Sequence, residues 1–148
     1  MRMRLLPAAL VLLLLMGGIL RADLKRAMAE PNLEKRSSLA LDNATAALKA
    51  ARDAYDKNDM ELTARDAAEI LESVDLAYNS LVQSGKNPRN SSWFKKAEIS
   101  TRDLSRKLES FAEQMSYTDR PMLEKVKAEV QKVHDDLLMG VMEGRKKK

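Results

Sequence analysis

From Leu41 onward the apolar positions return every three or four residues, and they do so in four separate runs. Leu41, Ala44, Leu48, Ala51 and Tyr55 form the first run, and Met60, Ala64, Ala67, Leu71, Val74, Tyr78 and Leu81 form the second. The third is Phe94, Ala97, Thr101, Leu104, Leu108, Phe111 and Met115; the fourth is Leu123, Val126, Val130, Val133, Leu137 and Gly140. Spacings of three and four in alternation mark amphipathic helices packed nearly along one another. No run alternates with period two, so the chain reads as all-α.

The breaks between the runs carry helix start and stop signals. Pro31 suits a first turn, and Asn32 with Glu34 and Lys35 opens a helix reaching about Lys57. Lys57-Asn58-Asp59 is a polar turn in which Asp59 can cap the second helix. Gly85 can take a left-handed conformation after that helix, and Pro88 prevents its continuation. Ser91 or Ser92 is placed to cap the third helix, and Thr118 or Asp119 the fourth, with Pro121 in its first turn. Connections this short predict consecutive helices lying side by side. The expected fold is an antiparallel four-helix bundle, up-down-up-down, over residues 32–143, with residues 23–31 a linker or short helix.

Charge and side-chain size refine that picture. Residues 59–79 hold six acidic side chains against one basic, and residues 86–107 hold seven basic against two acidic. Opposite charge on the second and third helices predicts that they meet, as a device of specificity, since each exposed pair adds only a few tenths of a kcal/mol. Ala44, Ala47, Ala51, Ala54, Ala64, Ala67 and Ala68 form a small-residue seam on the first two helices. The bulkier half of the core comes from the last two. A homodimer through the alanine seam stays open.

Ahead of the helices, Arg2 and Arg4 precede an apolar run from Leu5 to Leu20, which is longer than most signal cores and short of the ~20 residues of a usual membrane span. Residues 1–22 are expected to be an export signal, and the alternative is an uncleaved membrane anchor. The protein is therefore expected in the periplasm or outside the cell, or tethered to the inner membrane. There is no cysteine, so no disulfide supports the fold. The net charge of +4 misleads about partners. Setting aside Arg2, Arg4, Arg21 and the run Arg145 to Lys148 leaves 19 of the 26 basic residues, against all 22 acidic ones. The body is mildly acidic, which argues against nucleic acid.

No Gly-rich phosphate loop, nucleophile elbow or paired His and carboxylate is present, so a non-catalytic chain without cofactor is expected. His134, the only histidine, lacks the Glu-x-x-His context of di-iron bundles and reads as solvent-facing on a charged helix. A soft-metal site from His134 with Met139 or Met142 is the sharper alternative. The methionines after the signal read mostly as core filler. Leu48, Ala51, Tyr55, Ala64 and Ala68 loosely match one tetratricopeptide unit, without its other markers or a second copy, so the match amounts to a helical hairpin. Asn43-Ala44-Thr45 and Asn90-Ser91-Ser92 fit the N-glycosylation pattern.

The strongest surface candidate is Trp93 with Lys95 and Lys96, where an aromatic and two cations fall within one helical turn. The second is the basic tail Arg145, Lys146, Lys147 and Lys148 after Gly144, within a segment spanning 144–148. Both suit an anionic surface or an envelope protein. The expected role is an exported binding or structural module of the cell envelope. Two alternatives stand beside it: an adaptor anchored through Leu5 to Leu20, and a periplasmic carrier of a metal or small ligand.

Overall fold

The computed structural model describes residues 23–144, which are helical throughout apart from short connections. Residues 23–29 form a short helix. Four long helices follow: α1 (Leu33–Asp56), α2 (Met60–Gln83), α3 (Ser92–Gln114) and α4 (Pro121–Glu143), with a 3₁₀ turn, Pro88–Asn90, before α3. No strand occurs among the described residues. The expected export signal or anchor at 1–22 and the basic run at 145–148 lie outside them.

Two of the three expected caps form, and Asn32 caps α1, which leaves Pro31 ahead of the helix rather than in its first turn. The Asn32 side chain accepts from the Lys35 amide at 2.9 Å, and Asp59 accepts from the Leu62 amide at 3.0 Å. Ser91 accepts from the Phe94 amide at 3.4 Å. Each satisfies a first-turn N–H that has no intrahelical partner. Asn58 takes φ 58°, a left-handed value that asparagine tolerates, and Gly85 takes φ 67°. The cap expected at Thr118 or Asp119 does not form. Arg120 sits at the α4 N-cap without a side-chain cap. The Asp119 carboxylate instead accepts from Ser116 Oγ at 2.7 Å and from Tyr55 at 3.0 Å. The turn there is closed by backbone bonds from Met122 to Asp119 and from Leu123 to Arg120.

The helices pack as two antiparallel hairpins, α1 with α2 and α3 with α4, and the hairpins meet through α2 on α4 and α1 on α3. Paired residues give the directions. Asn43 meets Ser73 and Glu69 across the first hairpin. Across the second, Glu98 meets His134, Ser105 meets Gln131 and Glu109 meets Lys127. Between hairpins the numbers rise together: Ser38 with Lys96, Arg52 with Lys107, Tyr55 with Asp119. Neighbours from different hairpins thus run parallel.

Helices α2 and α3 touch little and lie on a diagonal, contrary to the side-by-side placement expected of consecutive helices. Among the described residues no ion pair joins the acidic stretch 59–79 to the basic stretch 86–107, so the expected charge pairing is overturned. Exposed pairs are too weak to choose neighbours against the burial of apolar faces. The crossing segment itself helps choose them. Its 3₁₀ turn lies on the end of α4, where a Cβ added to Gly140 would come within 3.2 Å of the Pro88 Cβ.

The expected stripes of α3 and α4 are buried throughout, save Gly140, which is half-buried beneath Pro88. In α1, Ala44, Ala47, Ala51 and Ala54 are buried as expected. Helix α2 is rotated from the expected phase: Ala64 and Ala68 are exposed and Leu71 is half-buried, while Thr63, Asp66, Ile70 and Ser73 are buried. Counting apolar residues alone misses a buried face that includes polar groups. Thr63 and Ser80 sit in that face by returning their hydroxyls to the Asp59 and Leu76 carbonyls.

Replacing Gly140 with Val overpacks the contact with Pro88 and is expected to lower stability by ~1–3 kcal/mol. The check is a urea melt, in which the midpoint falls while the slope is unchanged.

Candidate functional site

The start of α3 is built by its cap. Ser91 fixes the first turn, so Phe94 enters the core at 5% exposure and Trp93 lies half-buried beside it, against α1. Lys96 lies 5.7 Å from the Trp93 ring centroid and reaches Ser38 Oγ at 3.4 Å. Lys95 is exposed. The crevice between Trp93, Leu41 and Asp42 holds only about 20 Å³, room for no more than a water molecule. Trp93 and Lys96 are thus brought together over a crevice too small for a ligand, while Lys95, two residues on from Trp93, does not share their face.

The last described residue, Gly144, lies at this same end. A Cβ on it would come 3.3 Å from Asn87 Oδ1 and 3.5 Å from Arg89 Cβ. The run Arg145 to Lys148 follows Gly144 directly, and nothing further is described of it. Sequence reading gave little weight to the apolar groups nearby. Val82, Met139 and Met142 are exposed, as is Met28, and among the six methionines after residue 22 only Met115 is fully buried. The expectation of methionine as core filler is corrected for Met28, Met139 and Met142. The signal was present: Met139 and Met142 lie off the Val130, Val133, Leu137 stripe.

His134 overturns a second expectation. It is not solvent-facing but 9% exposed at the α3–α4 interface. Its Nε2 donates to Glu98 Oε1 at 3.0 Å, and its Nδ1 lies 3.3 Å from Asp135 Oδ1. Arg102 donates to both Glu98 oxygens, at 2.8 and 2.7 Å through one terminal nitrogen. The Arg102 hydrogen bonds hold the Glu98 carboxyl below its ordinary value against the opposing effect of burial, and His134 adds to the lowering. Gln131 links Asp135 to Ser105, extending the network along the interface. Its groups satisfy one another, which suits a positioning role between helices.

A second polar group lies between α1 and α2. The Asn43 side chain donates to Glu69 Oε1 at 3.1 Å and to Ser73 Oγ at 2.8 Å, and is 3% exposed. Burial of that nitrogen removes Asn43 as an acceptor for glycosylation, whereas Asn90 is exposed on the 3₁₀ turn. Asp66, on α2, is buried, and desolvation pushes its pKa up to about 6 despite Arg65. Between α2 and α4, burial and the Glu129 carboxylate together raise Asp75. Burial, with Asp136, raises Tyr78.

A groove of about 290 Å³ lies between residues 23–29 and α2 and is lined by Leu24, Lys25, Met28, Arg65, Glu69 and Glu72. Among the described residues no cluster of His, Cys, Asp or Glu is arranged to hold a metal ion, and no helix is long and apolar enough to cross a membrane. No protein-family model, curated protein or solved structure matches this chain.

The two carboxylates predict opposite pH effects. Asp66 binds its proton more tightly folded than unfolded, so its contribution is fully present below about pH 4 and is lost as pH rises through about 6. Asp66→Asn is expected to raise stability at pH 7.5 by ~1 kcal/mol and to leave it little changed at pH 4, in urea melts at the two pH values. Glu98 works the other way. Its contribution is present above the ordinary carboxylate range and is lost as pH falls through its lowered value. Glu98→Ala should cost about 1–2 kcal/mol at pH 7 and flatten the acid limb of the stability profile.

Proposed function

We propose that this protein is an exported, non-catalytic binding or structural module of the cell envelope. Its four long helices would act as one antiparallel bundle and present a contact surface at the end where α3 begins. What supports this reading is the gathering there of Trp93, Lys95, Lys96 and Arg89 beside Gly144, from which the basic run 145–148 continues. These residues lie on a surface rather than around a cavity, which suits contact with something larger than a small molecule. The Arg2 and Arg4 pair ahead of Leu5 to Leu20 supports export. The length of that run supports a second reading, a module kept at the membrane by its uncleaved anchor.

Intact mass from soluble and membrane fractions of expressing cells tests both. A soluble species beginning at Asp23 or Glu30 is the expected result for a free exported module. A full-length species in the membrane fraction supports the anchored form. Full-length protein in the cytosol would overturn export.

A further inference from the structure

We infer that the end of the molecule formed by the starts of α1 and α3 and the ends of α2 and α4 docks on an anionic phospholipid surface. The inference rests on reading that end as the contact surface and is independent of export. Residues 30–42, 77–97 and 137–144 make up the end, and they hold six basic side chains against four acidic ones. Glu30 and Glu34 are engaged by Lys35 and Lys86 at 3.7 and 3.8 Å. Among the described residues Arg89 and Lys95 have no ion-pair partner.

Charge alone would suit any polyanion. The apolar groups beside it favour a bilayer. Val82 is 55% exposed and Met142 is 68% exposed, at the ends of the two helices that finish here. Half-buried Trp93 stands against α1 on the other half of the same end, with Lys96 over its ring. An aromatic with a cation over its ring, on an end that also exposes apolar side chains, fits the boundary between headgroups and acyl chains. Basic residues near such a surface each strengthen binding about fivefold.

Trp93 is the only tryptophan, so its emission reports this end alone in the full chain. The experiment adds vesicles of phosphatidylglycerol, with and without brominated acyl chains, and vesicles of phosphatidylcholine. The expected result is a blue shift and bromine quenching on phosphatidylglycerol only, both lost at about 0.5 M salt. Arg2, Arg4 and Arg21 beside Leu5 to Leu20 also favour phosphatidylglycerol, so the basic end is isolated by variants that leave that segment intact. K95A/K96A should weaken binding to phosphatidylglycerol by about thirtyfold, and R89A by about fivefold, with helical circular dichroism retained. An unchanged spectrum on phosphatidylglycerol overturns the inference. An equal shift on phosphatidylcholine overturns it in favour of apolar insertion without headgroup recognition. Binding to dextran sulfate with no bromine quenching by lipid overturns it in favour of a soluble polyanion.

Discussion

The connection between α2 and α3 has to cross the end of the helical array, and it does so by lying on α4 rather than turning back beside α2. That crossing depends on a bare backbone at Gly140 against the rigid ring of Pro88. Once the segment lies there, α3 is delivered to the far side, next to α1, and α4 returns beside α2. Parallel pairing of α1 with α3, the seat of Trp93 against α1, and the emergence of Gly144 next to Arg89 all descend from that placement. Ser91 then starts α3 at the right rotation, so that Phe94 enters the core and Lys95 faces water.

Polar groups hold each hairpin in register. Between α3 and α4, the two Glu98 oxygens take bonds from Arg102 and one of them a further bond from His134. Between α1 and α2, Asn43 bridges Glu69 and Ser73 among alanines that supply shape but little direction. Apolar stripes of similar residues can slide by a turn at small cost, whereas a buried amide or carboxylate without its partner costs about 1–3 kcal/mol or more. These pairs set the vertical match of the helices, much as a single polar residue sets register in a coiled coil.

How far the chain could be read in advance follows from what each signal measures. Helix ends were legible where one side chain serves its own neighbours, as at Asn32, Asp59, Ser91 and Gly85. The stripes of α3 and α4 were legible because nearly every buried position there is apolar. In α2 the buried face includes Asp66, Thr63, which turns its hydroxyl back to Asp59, and Ser73, which meets Asn43 of α1, and a count of apolar residues settled on Ala64 and Ala68 instead. Ring order was beyond local reading, since charge favoured α2 beside α3 and only the fit of Pro88 on Gly140 says otherwise. His134 looked exposed for the same reason: its partner Glu98 is a neighbour only once α3 and α4 are paired. The meeting of Trp93 with Lys96 was legible because the two stand three residues apart on one helical face.

Parallel neighbours place like helix ends together. The amino ends of α1 and α3 share one half of the end face and the carboxyl ends of α2 and α4 share the other. Neither α2 nor α4 carries a basic residue in its last turn to offset its partial negative charge. Backbone dipoles therefore reinforce Lys95 and Lys96 on the first half and oppose positive potential on the second, where Val82 and Met142 stand. The end face carries a gradient of potential across its width, and an approaching anionic surface meets a torque as well as an attraction. The order in which four helices are wired thus sets the direction of that gradient.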